Sequence, residues 1–371
     1  MNQAISDLFQ LELPQLEARL ARLLGDIMPP DEAARAACKA RWDAVGKPLG
    51  SLGLLETDTQ KIAALTGSAK LDLSARTLLV FCADNGVVAQ GVSQCGNEVT
   101  GFVTRALAEG RSSACAMARV ARCRVQPVDM GVHGLVGEEI PGLVRCRVMD
   151  GTADFTQGPA MTRTQALQAL LAGAALARQQ AEAGCRLLLI GEMGIGNTTT
   201  SSAVFSVLQQ LPPEQVTGRG AGLSGAGLRH KVEVIEKAIA LHQPDRNDVL
   251  DVLSKVGGLD ICGMAGAFLG GAVYHVPVLI DGFISAVAAN CAVRLVSLCR
   301  QYLFASHCSR EPAGKLALEA LGLRAYLDCD MCLGEGTGGV IGAKLFDFAL
   351  AAYGEIAGFD AVGIAPYEKL Q

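Results

Sequence analysis

The stretch Arg186-Leu187-Leu188-Leu189-Ile190-Gly191-Glu192-Met193-Gly194-Ile195-Gly196-Asn197-Thr198-Thr199-Thr200 decides the reading of this chain. Its first residues form a short aliphatic run of the length of a buried strand. Gly191 ends the run, and a helical pattern follows over about 199–208. Strand, glycine-rich turn, helix is the repeating unit of a parallel sheet. The same grammar recurs on either side. Residues 77–82 (TLLVFC) end at Ala83-Asp84-Asn85-Gly86, 124–128 at Asp129-Met130-Gly131, and 276–280 (VPVLI) at Asp281-Gly282. Residues 325–327 lead towards Gly334-Glu335-Gly336. Helical patterns fall between them at about 164–183, 226–241, 283–303 and 339–353. The expectation is an α/β fold, a mostly parallel sheet with helices on both faces in a Rossmann-like three-layer body.

The first 70 residues read differently. Leu16, Leu20, Leu23 and Leu24 repeat at helical spacing, Pro29-Pro30 stops them, and Asp31 caps a second helix running to about Val45. Residues 46–53 form a loop before a further helix. We expect 1–70 to be a helical cap packed on an α/β body of 71–371, which C-terminal helices can join. Ligands of such sheets bind outside the carboxyl ends of the strands, where the glycines and acidic residues lie.

Composition excludes several classes. The chain has 371 residues, 50% of them hydrophobic and 19% charged, enough apolar material for a large core and too much for disorder. A net charge of −5 and 5% aromatics argue against a nucleic-acid surface. The most apolar region, about 270–296, is interrupted by His275, Asp281, Asn290 and Arg294, so no membrane span is expected. Residues 1–10 lack the basic and apolar regions of a secretory signal. With thirteen scattered cysteines, an odd number, this points to a cytoplasmic protein with reduced thiols buried in its core.

Three motifs carry chemistry. In residues 191–202 the glycines let the backbone approach a ligand, and the hydroxyls sit at a helix N-terminus that suits a phosphate. The Gly-Lys-Ser/Thr ending of a Walker loop is missing. Residues 218–227 contain G-x-G-x-x-G at Gly220, Gly222 and Gly225. Leu211-Pro212-Pro213-Glu214-Gln215-Val216 before it makes a poor strand, so a loop over the substrate fits better than a dinucleotide site. Arg219 and Lys231 could assist an anion there, although a solvated charge is the default for each. Leu333-Gly334-Glu335-Gly336-Thr337-Gly338-Gly339 sets one carboxylate among glycines, which suits a general base or a helix-start acid. Cys329 and Cys332 are spaced as C-x-x-C without a second pair, and core packing is the expectation for them. His133, His230, His275 and His307 share no metal-ligand spacing, and no acidic pair precedes a Thr-rich turn to hold Mg²⁺ and ribose. No metal and no cofactor are expected.

These motifs in this order resemble the nicotinate-nucleotide–dimethylbenzimidazole phosphoribosyltransferase family of cobalamin assembly. The matching segments are Lys47-Pro48-Leu49-Gly50-Ser51-Leu52-Gly53, Ala83-Asp84-Asn85-Gly86-Val87, Gly91-Val92-Ser93, 191–200, 218–231, Gly257-Gly258-Leu259-Asp260, Asp281-Gly282-Phe283, Ser309-Arg310-Glu311-Pro312 and 333–338. They span about 40–355. The resemblance implies transfer of the 5-phosphoribosyl group of nicotinate mononucleotide to 5,6-dimethylbenzimidazole. The products are α-ribazole 5′-phosphate and nicotinate. It also implies a homodimer. The family's catalytic base, the Glu of L-G-E-G-[ST]-G, falls on Glu335. With it, Glu192, Gly194, Gly196, Asn197, Thr198, Thr199, Gly220, Gly222 and Asp281 are assigned to the nucleotide and its phosphate. Asp84, Asn85, Ser93, Met193 and Leu333 are assigned to the acceptor base. The chain departs from the family's A-A-D-H-G at Asn85 and from its E-P-G-H at Ala313 and Gly314. Adenine, plain benzimidazole or phenol acceptors therefore stand as alternatives, as does a non-catalytic nucleotide or benzimidazole sensor.

Overall fold

A computed structural model of the chain describes residues 3–363, 365 and 367. Six strands form one parallel sheet: β1 Arg76–Ala83, β2 Cys123–Gly131, β3 Val144–Arg145, β4 Leu187–Met193, β5 Val278–Ile280 and β6 Leu303–Ala305. Their order across the sheet is β3-β2-β1-β4-β5-β6. The chain starts in the middle, builds to one edge, then returns to build the other. The direction of winding reverses between β1 and β4, and a crevice opens there at the carboxyl ends. All eight residues of β1 are buried, as are the first six of β4. A strand covered on both faces is apolar throughout rather than alternating, which is why these runs stand out in the sequence.

The expected strands at β1, β2, β4 and β5 are present within a few residues. The run at 325–327 differs. Only Leu327–Asp328, β8, is extended, and it pairs with β7 (His307–Cys308) in a separate two-stranded ribbon. The helix expected over 283–303 ends at Leu295. Ser297–Tyr302 is a 3-10 helix, and Leu303–Ala305 is the edge strand β6.

The helix Leu259–Val273 is buried along nearly its whole length and packs against Arg163–Glu182. Being apolar on every side, it shows no 3.6-residue period to read. The N-terminal helices divide their packing. Ile5, Leu8, Leu16 and Leu20 join the main core. Cys38, Trp42, Val45 and Ala63 form a small second core closed by Tyr353 of the helix Thr337–Glu355. Trp42 Nε1 donates to Thr59 Oγ1 at 2.9 Å inside it. Eight of the thirteen cysteines are buried, and among the described residues all thirteen are free thiols. No helix among the described residues is long and apolar enough to cross a membrane.

Candidate active site

The carboxyl end of β4 delivers Glu192 into the crevice, and the helix Asn197–Gln209 starts four residues later. Asn197 was expected to face a phosphate. Its Nδ2 instead donates to Glu192 Oε2 and, at 3.0 Å, to Asp260 Oδ2. Asp260 lies in the first turn of Leu259–Val273 and is fully buried. Burial pushes the Glu192 carboxyl up to about 8, opposed by the Asn197 hydrogen bond and reinforced by Asp260, Asp281 and Glu335. Burial likewise pushes Asp260 up to about 6, with the Asn197 hydrogen bond pulling down.

Asp281 follows β5 directly. Its Oδ2 accepts from Gly336 N–H at 3.1 Å, and its Oδ1 accepts from Gly338 and Gly339 N–H at 2.7 and 3.2 Å. One carboxylate thus satisfies the orphan donors at the start of the helix Thr337–Glu355. Burial raises the Asp281 carboxyl, while His307 at 3.9 Å and the three N–H groups pull it down. The loop it fastens carries Glu335 at φ +58°, a left-handed conformation uncommon for a residue with a side chain. Such strain persists only where the surroundings impose it, and it gathers at functional sites. Gly191 of β4 makes the fit possible. A Cβ there would lie 2.6 Å from Gly336 N and 2.7 Å from Glu335 O. Glu335 Oε2 accepts from Ala114 N–H at 3.0 Å, in the first turn of the helix Ser113–Val120.

A second part of the site has a lysine behind it and Glu311 in its lining. Lys231, on the helix Gly225–His242, is fully buried, against the default of a solvated charge. Its Nζ donates to Thr198 Oγ1 at 2.7 Å. Burial drives the Lys231 ammonium down to about 8, with Glu311 pulling the other way. Burial raises Glu311 in turn, and among the described residues its Oε2 has no hydrogen-bond partner. Arg219 is exposed and donates to Leu223 O.

Between these walls is a cavity of about 300 Å³. Of the residues expected at the site, Glu192, Met193, Gly194, Asn197, Thr198, Gly220, Asp281, Leu333 and Glu335 line it. Gly196, Thr199, Gly222, Asp84, Asn85 and Ser93 do not. Gly196 is the N-cap of its helix, and Thr199 is buried inside it. Gly222 lies on an exposed loop where its carbonyl accepts from Gln94 Nε2. Ser93 Oγ accepts from Cys95 N–H at 3.3 Å in the facing loop. Asp84 and Asn85 are fully buried behind the lining. Asp84 Oδ2 accepts from His133 N–H at 2.7 Å, and Asn85 Nδ2 donates to Ile195 O at 3.2 Å. Burial raises the Asp84 carboxyl. Cys329 and Cys332 are exposed rather than packed in the core. Arg310 Nη2 donates to Cys332 Sγ at 3.3 Å, and Cys332 joins the lining of the cavity beside Leu333. Leu211–Val216, ahead of the glycine-rich loop, holds the short helix Pro213–Val216 and no strand.

Sequence reasoning missed Asp260 and His307 and misjudged Lys231. Asp260 and Lys231 are single polar residues in helical patterns and His307 lies in a short polar run; the fold places His307 in the lining and the other two behind it. A larger groove of about 1420 Å³ opens between residues 48–61 and 304–324. It contains none of the acidic residues at the strand ends, so the chemistry is placed in the smaller cavity.

A family model described as phosphoribosyltransferase matches residues 27–364. The nicotinate-nucleotide–dimethylbenzimidazole phosphoribosyltransferase of Acetivibrio thermocellus is 44% identical over 328 residues, covering 88% of this chain and 93% of that protein. The enzyme of that name from Roseiflexus sp. is 44% identical over 346 residues, covering 93% and 98%. The crystal structure of CobT from Thermus thermophilus superposes with a TM-score of 0.85 at 40% identity, covering 90% of this chain and all of that one. With the fold, the ordered motifs and these matches in agreement, the chain belongs to the nicotinate-nucleotide–dimethylbenzimidazole phosphoribosyltransferase family.

Proposed function

We propose that this protein transfers the 5-phosphoribosyl group of nicotinate mononucleotide to 5,6-dimethylbenzimidazole, releasing nicotinate and α-ribazole 5′-phosphate. The polarity of the cavity carries this reading. One part has Thr198, Gly220 and, behind them, the Lys231 ammonium with the Glu311 carboxyl, raised by burial, beside it; another has Glu192, Asp281 and Glu335. Nicotinate mononucleotide has a phosphate at one end and, at the other, a ring whose quaternary nitrogen at the ribose is positive while its carboxylate points away on the ring. Thr198 Oγ1, the Gly220 loop and Lys231 bind the phosphate. The acidic end meets the ring and the oxocarbenium character that develops on the ribose as nicotinate departs.

Glu335 is the base. The acceptor attacks the ribose carbon through its unprotonated nitrogen, and its other nitrogen gives up a proton as the bond forms. A carboxylate held by the strained loop takes that proton. Displacement with inversion places acceptor and nicotinate on opposite faces of the ribose. Met193 and Leu333 supply apolar surface for the acceptor ring. Asp281, with both oxygens committed to the loop, positions Glu335 rather than touching the ribose. Asn85 acts from behind the wall, through Ile195. The protein works in the cytoplasm, consistent with its free thiols. It works as a homodimer, a reading supported by the 58% exposure of Leu333 at the cavity and the 69% exposure of Phe102 beside cavity-lining Val103.

Purified protein is to be incubated with nicotinate mononucleotide and 5,6-dimethylbenzimidazole, and the products separated by chromatography. Equimolar nicotinate and α-riboside phosphate support the proposal. Binding of both ligands without nicotinate release favours the sensor, and release only with adenine, benzimidazole or a phenol reassigns the acceptor.

A further inference from the structure

Two buried carboxylates, Glu192 and Asp260, accept from the same side-chain amide, Asn197 Nδ2. An amide nitrogen has two hydrogens, so each carboxylate takes one. Asn197 is itself buried and fixed as the first residue of its helix, and Asp260 Oδ1 is held by Ile261 N–H at 2.9 Å. Glu192 Oε2 is therefore tied back, and Oε1 is left towards the Glu335 loop. A Cβ on Gly334 would lie 2.8 Å from that oxygen. The groups facing Glu192 from every side are acidic or neutral: Cys82 from β1, Asp260 from its helix, Asp281 after β5 and Glu335 from its loop. His307 stands beyond Asp281, and Asp84 beyond Asp260. Two like charges bridged by one neutral amide in a desolvated site do not both ionise readily.

We propose that Asp260 is a positioning residue of the transfer reaction, which through Asn197 aims Glu192 Oε1 into the cavity and whose negative charge, added to burial, holds Glu192 protonated until the quaternary ring nitrogen of the nucleotide binds beside it. The order of the two groups agrees, because burial pushes the Glu192 carboxyl up to about 8 and Asp260 only to about 6. At neutral pH, Asp260 is the charged partner and Glu192 the neutral one. Arrival of the quaternary ring nitrogen, with the nicotinate carboxylate directed away from Glu192, supplies a local counter-charge. Glu192 then releases its proton to the buffer, and the resulting carboxylate stabilises the ring and the developing ribose cation. The ligand-free site avoids a cluster of unpaired buried charges, and the loaded site gains an anion where positive charge resides. This inference rests on the proposed substrate.

The test is calorimetric titration of nicotinate mononucleotide at pH 7 in two buffers of different ionisation enthalpy, comparing wild type with Asp260→Asn. The wild type is expected to release close to one proton per site on binding. Asp260→Asn removes one of the repelling charges while burial, Asp281 and Glu335 remain, so Glu192 is about half ionised before binding and release falls to roughly half. Its kcat/KM profile shifts its Glu192 limb about one pH unit towards acid. Asp260→Ser, which also removes the charge, serves if the Asn variant misfolds, with thermal melting as the check. Unchanged proton release in a folded variant overturns the proposal, as does binding to wild type without release. Absence of any nucleotide binding to wild type would instead remove the substrate reading itself.

Discussion

Lys231 holds its ammonium where water does not reach, with Thr198 Oγ1 as its hydrogen-bond partner. A buried lysine with one neutral partner is costly for the fold, and an incoming phosphate offsets that cost. Lys231→Met is expected to raise KM for nicotinate mononucleotide roughly tenfold or more, ~1.4 kcal/mol. KM for the acceptor should hardly change, and thermal stability should hold or rise. An unchanged nucleotide KM would move the phosphate elsewhere. The residues that sequence reasoning found most easily were those in glycine-rich runs, such as Glu335 and Glu192. Asp260 was not legible as a site residue, and Lys231 was legible only as a charge that could assist an anion, with solvation as its default. Asp260 sits in the first turn of an apolar helix and Lys231 in an ordinary amphipathic one, and their meaning depends on which helix faces which strand end. Asn197 was legible as a residue of the site, but its task was not, because its two carboxylate partners come from distant segments.

The element that matters most is the turn before the helix Thr337–Glu355. Asp281 at the end of β5 fastens its N-terminus, Gly191 of β4 lets it approach, and Glu335 is held in a left-handed conformation. Gly338→Ala tests that fastening. Its Cβ would run into the His307 ring and lie 2.8 Å from Asp281 Oδ1. The loop must then shift. We expect kcat to fall more than ~tenfold, because a displacement of about 1 Å is enough for such a loss. Nucleotide binding, which depends on the opposite wall, should be largely kept. Equal loss of kcat and nucleotide affinity would show that the two walls are not independent. At this scale the sequence was partly legible. Long buried strands such as β1 and β4 declared themselves. The three-residue β6 vanished into an Ala- and Val-rich helical pattern, and β7 and β8, two residues each, were too short to carry a period.

Across the whole molecule, the reversal of winding between β1 and β4 gathers acidic residues from four separate segments, at Glu192, Asp281, Glu311 and Glu335, into one crevice. That arrangement affects stability. The unfolded chain loses the Glu192 proton near pH ~4.3, while the folded protein keeps it to about 8. Between these values the folded state binds the extra proton, so Glu192 makes stability fall as pH rises. Thermal melting of the ligand-free protein from pH 5 to 8 should show that decline, and Glu192→Gln should flatten it. An unaltered slope would mean that Glu192 is ionised in the folded protein. The overall α/β architecture was legible because fully buried parallel strands are apolar runs. The strand order was not, since a crossover leaves no mark on local pattern. The central claim is that Glu335 takes the acceptor's proton as the phosphoribosyl group moves. Single-turnover nicotinate release with Glu335→Gln, beside wild type and with both substrates shown to bind, tests it most directly. The account predicts a fall of at least ~10²-fold in rate with binding retained. Near-normal turnover in the variant would contradict it.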